Sequence, residues 1–108
     1  MREAIQILIY TGPPKTARHV KAYPFGLLAV NRCVDSRGVV LRSWSVTHVP
    51  TGYAIVRGMR YKLAVEAAKA LSKLDWPISK DPRVTIRRTD LRAEAAQWKA
   101  MRDIQAEV

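Results

Sequence analysis

Cysteine is nearly absent from this chain. Cys33 stands alone, so no internal disulfide can staple the fold, and a lone thiol suits a reducing compartment or a buried apolar position. Histidine is almost as scarce: only His19 and His48 are present, and no close Cys/His pairs supply the four ligands of a structural zinc site. Long apolar runs are missing too. None approaches the roughly 20 residues needed to span a bilayer, and the first ten residues interrupt their apolar run with Glu3 and Gln6, unlike a secretory leader. These absences predict a cytoplasmic chain with no membrane association. The sequence contains no phosphate-binding G-x-x-x-x-G-K-[ST] loop, no G-x-G-x-x-G turn and no G-x-S-x-G elbow.

Carboxylates are few and scattered. Asp90/Glu94 and Asp103/Glu107 recur at helical spacing, which reads as a solvated helix face rather than an acidic metal site. Cys33 and His48 fall on neighbouring predicted strands but at opposite ends of the hairpin, which favours a structural Cys33 over a nucleophile–base pair. The expectation is a binding protein, not an enzyme, with no metal and no cofactor.

What is abundant is positive charge. Nineteen Lys and Arg stand against nine Asp and Glu, a net charge of +10 over 108 residues. The excess is concentrated. Between Thr11 and Lys62, Asp35 is the sole carboxylate, while residues 89–108 are close to neutral. Clustered like charge opposes compaction and attracts anions, so the asymmetry points to a polyanion-binding surface rather than to generalised solubility.

Hydrophobic periodicity gives the organisation. Ala4–Tyr10 alternates as a strand, and Thr11-Gly12-Pro13-Pro14 ends it. Lys15–Pro24 is basic and mixed, and reads as a loop with extended pieces. Leu27–Val34, Val39–Val49 and Tyr53–Arg57 form a meander over residues 27–57, joined by turns at Asp35–Gly38 and Pro50–Gly52. In the middle strand, Val40, Arg42, Trp44, Val46 and His48 share one face. With Trp44 in the core, Leu41, Ser43, Ser45 and Thr47 are expected toward solvent. Gly58 then breaks the strand pattern, and the period changes to 3.6 over Arg60–Asp75. Val84–Arg87 reads as an edge strand, and a second helix covers about 90–107 behind a Thr89 cap, with a stripe of Leu91, Ala95, Trp98, Met101, Ile104 and Val108. The sum is one basic α+β domain spanning 1–108, with an antiparallel three- to four-stranded sheet packed on one or two helices as a two-layer sandwich.

Candidate binding residues are the cations this scheme places on the sheet and the first helix: Arg32, Arg42 and Arg57 on strands, Arg37 in a turn, and Arg60 and Lys62 at the helix start. Arginine presents a fork of donors suited to phosphate oxygens or guanine edges, and the backbone N–H groups of a helix N-terminus add to the positive potential. Trp44 stacked on a base is the alternative to Trp44 in the core.

Trp44, Gly58 and Glu66-Ala67-Ala68, within WSVTHVPTGYAIVRGMRYKLAVEAAKAL at residues 44–71, carry a resemblance. The stretch resembles the AP2-type DNA-binding domain, which pairs a three-stranded sheet with one amphipathic helix. Its β-β-β-α order is also similar to that of double-stranded-RNA-binding domains. The resemblance implies that the sheet enters the major groove through arginines such as Arg32, Arg42 and Arg57. The sequence departs from the AP2 pattern in its apolar first strand, Leu27–Val34, and in Met59 after the glycine. The expected partner is nucleic acid, DNA or RNA, held through phosphate contacts. The alternative is a phage-type inhibitor or accessory protein docking on an acidic protein surface, with the C-terminal helix stripe available for a dimer or partner contact.

Overall fold

A computed structural model describes residues 3–11 and 15–106. Gly12, Pro13 and Pro14 of the first expected turn, and Val108 of the last helix stripe, lie outside the described residues. Five strands come first: β1 (Ile5–Thr11), β2 (Thr16–Phe25), β3 (Leu28–Val34), β4 (Val40–His48) and β5 (Tyr53–Met59). Three helices follow: α1 (Tyr61–Leu71), α2 (Pro82–Ile86) and α3 (Thr89–Ala106). The class is α+β. The antiparallel sheet has order β1-β2-β3-β4-β5, one or two strands more than the sequence suggests.

The added strand is β2, where the sequence reads as a loop. Arg18 and His19 point outward with their neighbours, so β2 lacks the apolar alternation that marks a strand. Its pairing defines it instead. Residues 16–22 pair with the whole of β1, and only Tyr23–Phe25 continue on to β3. The ladder therefore divides within β2, and the β1–β2 hairpin folds over one face of the remaining sheet. The Tyr10 N–H donates to the Gly52 carbonyl at 3.1 Å, and the Tyr10 and Tyr53 rings stack at 5.5 Å. Gly52 makes this approach feasible: its φ is +74°, and a Cβ there would sit 2.6 Å from the Leu8 carbonyl oxygen.

Each sheet face has its own core. On one, Leu28, Val30, Val46 and Met59 pack against Leu63, Ala67 and Leu71 of α1 and Leu91 and Ala95 of α3. On the other, Ile7 and Ile9 of β1 close over Ala22, Ala29 and Val34. The hairpin thus buries Ser45 and Thr47, which were expected toward solvent. Burial is tolerable because Thr47 Oγ1 donates to Asn31 Oδ1 at 2.7 Å, and Asn31 Nδ2 donates to the Arg32 carbonyl at 2.9 Å. Trp44 is half-buried and packs against the helix-side core.

The boundaries differ for identifiable reasons. Gly58 does not end β5. It sits inside the strand at φ +75°, beside the register shift between the Trp44–Met59 and Val46–Val56 pairs, and lets the buried Met59 rejoin the ladder. Helix α1 stops at Leu71, four residues before the expected Asp75: Lys73 N–H and Leu74 N–H turn to the i−3 carbonyls of Ala70 and Leu71, and the Trp76 indole N–H donates to the Leu71 carbonyl at 2.6 Å. The expected edge strand at Val84–Arg87 is helical instead. Asp81 accepts from the Arg83 backbone N–H at 3.0 Å, and Pro82 occupies the first helical position, a start signal that overrides the β-branched composition of α2. Among the described residues, no helix is long and apolar enough to cross a membrane.

Candidate functional site

The strand register assembles an aromatic cluster on the helix side of the sheet. Arg32 of β3 pairs with Trp44 of β4, and Trp44 pairs with Met59 of β5. Helix α1 starts two residues after Met59, with Arg60 as its cap, so Tyr61 is delivered beside Trp44. Tyr23, at the point where β2 joins β3, completes the group. Trp44 and Tyr61 meet edge to face with centroids 4.7 Å apart, and Tyr23 lies 6.4 Å from Trp44 and 6.5 Å from Tyr61.

Two of the rings have a cation beside them. The Arg32 guanidinium carbon sits 5.3 Å from the Trp44 ring centroid, and Lys21 Nζ sits 5.8 Å from that of Tyr23. Tyr61 is flanked in sequence by the exposed Arg60 and Lys62. Next to the cluster opens a cleft of about 450 Å³, lined by Arg18, His19, Lys21, Tyr23, Arg32 and Trp44 with three valines, and by no carboxylate. Arg18 Nη1 donates to the Gly38 carbonyl at 2.8 Å, which fixes the guanidinium at the cleft wall.

Local ion pairs absorb four of the carboxylates. Asp35, Asp81, Asp90 and Asp103 pair with Arg37, Arg83, Arg88 and Arg102, each one or two residues away. The Val39 backbone N–H, followed by lesser contributions from Arg37, holds the Asp35 carboxyl below its ordinary pKa. Hydrogen bonds from the Arg83 and Arg88 side chains do the same first for Asp81 and Asp90. Among the described residues, Lys21, Arg32, Arg42, Arg60 and Lys62 have no carboxylate within ion-pair distance.

The six cations singled out from sequence do not converge on one spot. Arg32, Arg60 and Lys62 border the aromatic cluster. Arg42 is exposed in the irregular stretch of β4 between the Arg32–Trp44 and Val34–Val40 pairs. Arg37 is in the β3–β4 turn, paired with Asp35 at 3.4 Å. Arg57 faces the other side of the sheet, where its Nη2 donates to the Val34 carbonyl at 3.0 Å. There it lines a second cavity of about 490 Å³ with Lys15, Tyr10, Tyr53 and the buried Asn31–Thr47 pair. Lys15 Nζ lies 4.5 Å from the Tyr10 ring centroid, and hydrogen bonding to Tyr53 raises its pKa.

Arg18, Lys21, Tyr23 and Tyr61 are the cluster members that sequence reasoning missed. Three of them lie in β2. The usable signal was Lys21-x-Tyr23, a cation and a ring two residues apart on one side of a strand, but it becomes readable only once that segment is known to be a strand. No group of three His, Cys, Asp or Glu among the described residues could hold a metal ion. No protein-family model, no curated protein and no solved structure matches this chain significantly.

Proposed function

We propose that this chain binds nucleic acid through phosphate contacts made by the sheet and the start of α1. The observation that carries the reading is the basic cleft beside Tyr23 and Trp44, whose lining holds no carboxylate. Lys21, Arg32, Arg42, Arg60 and Lys62 are left to an outside anion, because each described ion pair joins sequence neighbours elsewhere. Charge arranged only for solubility gains nothing from gathering around aromatic rings.

Neutralising phosphates releases condensed counterions, so binding must weaken as salt rises. With five cations engaged, log K falls against log salt with a slope of about −4 to −5 on duplex DNA and about −3.5 on a single strand. Fluorescence anisotropy of a labelled oligonucleotide across a sodium chloride series measures the slope. A flat response removes the reading.

A second reading has one observation in its favour. Met101 and Ile104, on the far part of α3, are 42% and 64% exposed, an apolar pair that a protein partner could cover. On that reading the basic face docks on an acidic protein surface. Protein purified at low salt separates the two: excess absorbance at 260 nm marks bound nucleic acid, and a stoichiometric second polypeptide marks the docking reading.

A further inference from the structure

Core packing accounts for Tyr23 and Trp44, but neither packing nor phosphate contacts account for the exposed ring of Tyr61. A surface that tracks only the backbone of a duplex needs cations, and gains nothing from aromatic faces, because duplex bases stack on one another and offer their flat sides to no side chain. Single strands do offer them, and stacking on Tyr, Trp or a guanidinium plane is how proteins hold unpaired bases. Tyr61 is 48% exposed at the first position of α1, where solvent gives a large apolar ring no packing benefit. Its orientation is fixed nonetheless, edge to face on Trp44 at 4.7 Å and on Tyr23 at 6.5 Å. A fixed ring loses little conformational freedom when a base lies on it.

Arg32 supplies a second platform. Its guanidinium carbon lies over the Trp44 indole at 5.3 Å, a cation–π contact made before any ligand arrives. The cleft beside it, about 450 Å³, falls in the range of roughly 300–1,000 Å³ typical of clefts that enclose small ligands. It is open to an unstacked base and too small for a paired duplex. Cations lie within reach of phosphates between stacked bases: Lys21 beside Tyr23, Arg32 on Trp44, and the exposed Arg60 and Lys62 next to Tyr61 in the chain.

We infer that this surface is selective for single-stranded nucleic acid, with bases stacked on Tyr61 and on the Arg32–Trp44 pair and phosphates on Lys21, Arg60 and Lys62. The inference rests on the nucleic-acid reading above. It adds the substrate class, and it predicts little base-sequence preference, because every base has a stacking face.

The test uses the full chain and three labelled probes of equal length: an oligo-dT strand, an oligo-rU strand and a mixed-sequence DNA duplex, all titrated at one salt concentration. At least one single strand is expected to bind about tenfold or more tighter than the duplex, and the tighter of the two names the polymer. Tyr61→Ala is expected to weaken single-strand binding about 5- to 150-fold, the range for loss of one stacked base, and to narrow the preference over duplex. Because Tyr61 is exposed, the variant keeps the fold, which its thermal melt verifies. Arg32→Gln, also at an exposed position, repeats the test independently. If duplex binds as tightly as both strands and neither substitution alters the ratio, while binding stays steeply salt-dependent, the single-strand inference is overturned and the phosphate reading stands. If none of the three probes binds, both fall.

Discussion

His48 allows the helix-side packing to be tested through its pH dependence. The imidazole is 1% exposed, with Nε2 at 2.7 Å from the Pro77 carbonyl and Nδ1 at 3.0 Å from Thr51 Oγ1. A carbonyl can only accept, so Nε2 carries the proton, and Nδ1 accepts from the Thr51 hydroxyl in the neutral ring. The bond to Pro77 ties the segment after α1 to the sheet, beside Trp76, whose ring centroid is 5.8 Å away. Burial holds the His48 pKa below its ordinary 6.5, and the Pro77 carbonyl only partly offsets this. The unfolded chain therefore takes up a proton near pH 6.5 while the folded protein resists it. Stability is full above that pH and falls as pH drops toward the lower folded pKa, with a slope of at most about 1.4 kcal/mol per pH unit. The depressed carboxylates Asp35, Asp81 and Asp90 do not confuse this window, since their contributions begin to be lost only as pH falls past the unfolded value of 3.8.

His48→Ala removes both hydrogen bonds and the packing on Trp76. Thr51 keeps a fallback acceptor in the residue-48 carbonyl at 3.3 Å, and the half-buried Pro77 carbonyl can take a water, so the polar loss is about 1–2 kcal/mol. The missing ring volume adds about as much again, giving about 3 kcal/mol in total. For a chain of this size that is about 12–24 °C in Tm. Urea denaturation followed by circular dichroism at pH 7.5 and pH 5.5 measures both effects. The expected result is a large deficit at pH 7.5 that shrinks at pH 5.5, as the wild type loses its histidine contribution and the variant has none to lose. An equal deficit at both values would refute the assignment of a buried neutral imidazole.

Four other outcomes follow from the same geometry. Gly52→Ala combines a left-handed φ with a collision against the Leu8 carbonyl, so it should cost at least about 2 kcal/mol in a thermal melt and loosen β1 first, seen as early hydrogen exchange at the Tyr10 amide. Trp76→Phe keeps most of the apolar volume but removes the donor to the Leu71 carbonyl, and should lower stability by about 1–3 kcal/mol in urea. Lys21→Ala and Lys62→Ala, if both residues touch phosphates, should each reduce the steepness of the salt dependence by about one unit on duplex DNA without altering any sequence preference. Cys33 is 3% exposed, so its thiol should stay unreactive to a disulfide reagent in the folded protein and react stoichiometrically in denaturant.

The local chemistry of the chain was enough to read the β3–β4–β5 meander, the amphipathic stripe of α1 and the concentration of positive charge before residue 63. Alternation and the 3.6 period are properties of neighbouring residues, and so is charge density. β2 was not legible, because a strand with both faces wet over Ala17–His19 carries no period-two signal and is defined only by its partner, β1. The burial of Ser45 and Thr47 depended on the same hairpin folding across the sheet, a non-local event whose close contact passes through Gly52. For the candidate site, sequence supplied the residue types and tertiary structure decided their company. Strand register placed Arg32 on Trp44 and delivered Tyr61 to the same spot, while the alternation of β5 sent Arg57 to the opposite face. Side-chain direction along a strand is fixed by the backbone, but which faces are covered is decided only when distant segments meet, and that is why the charge could be counted in the sequence while the surface it forms could not.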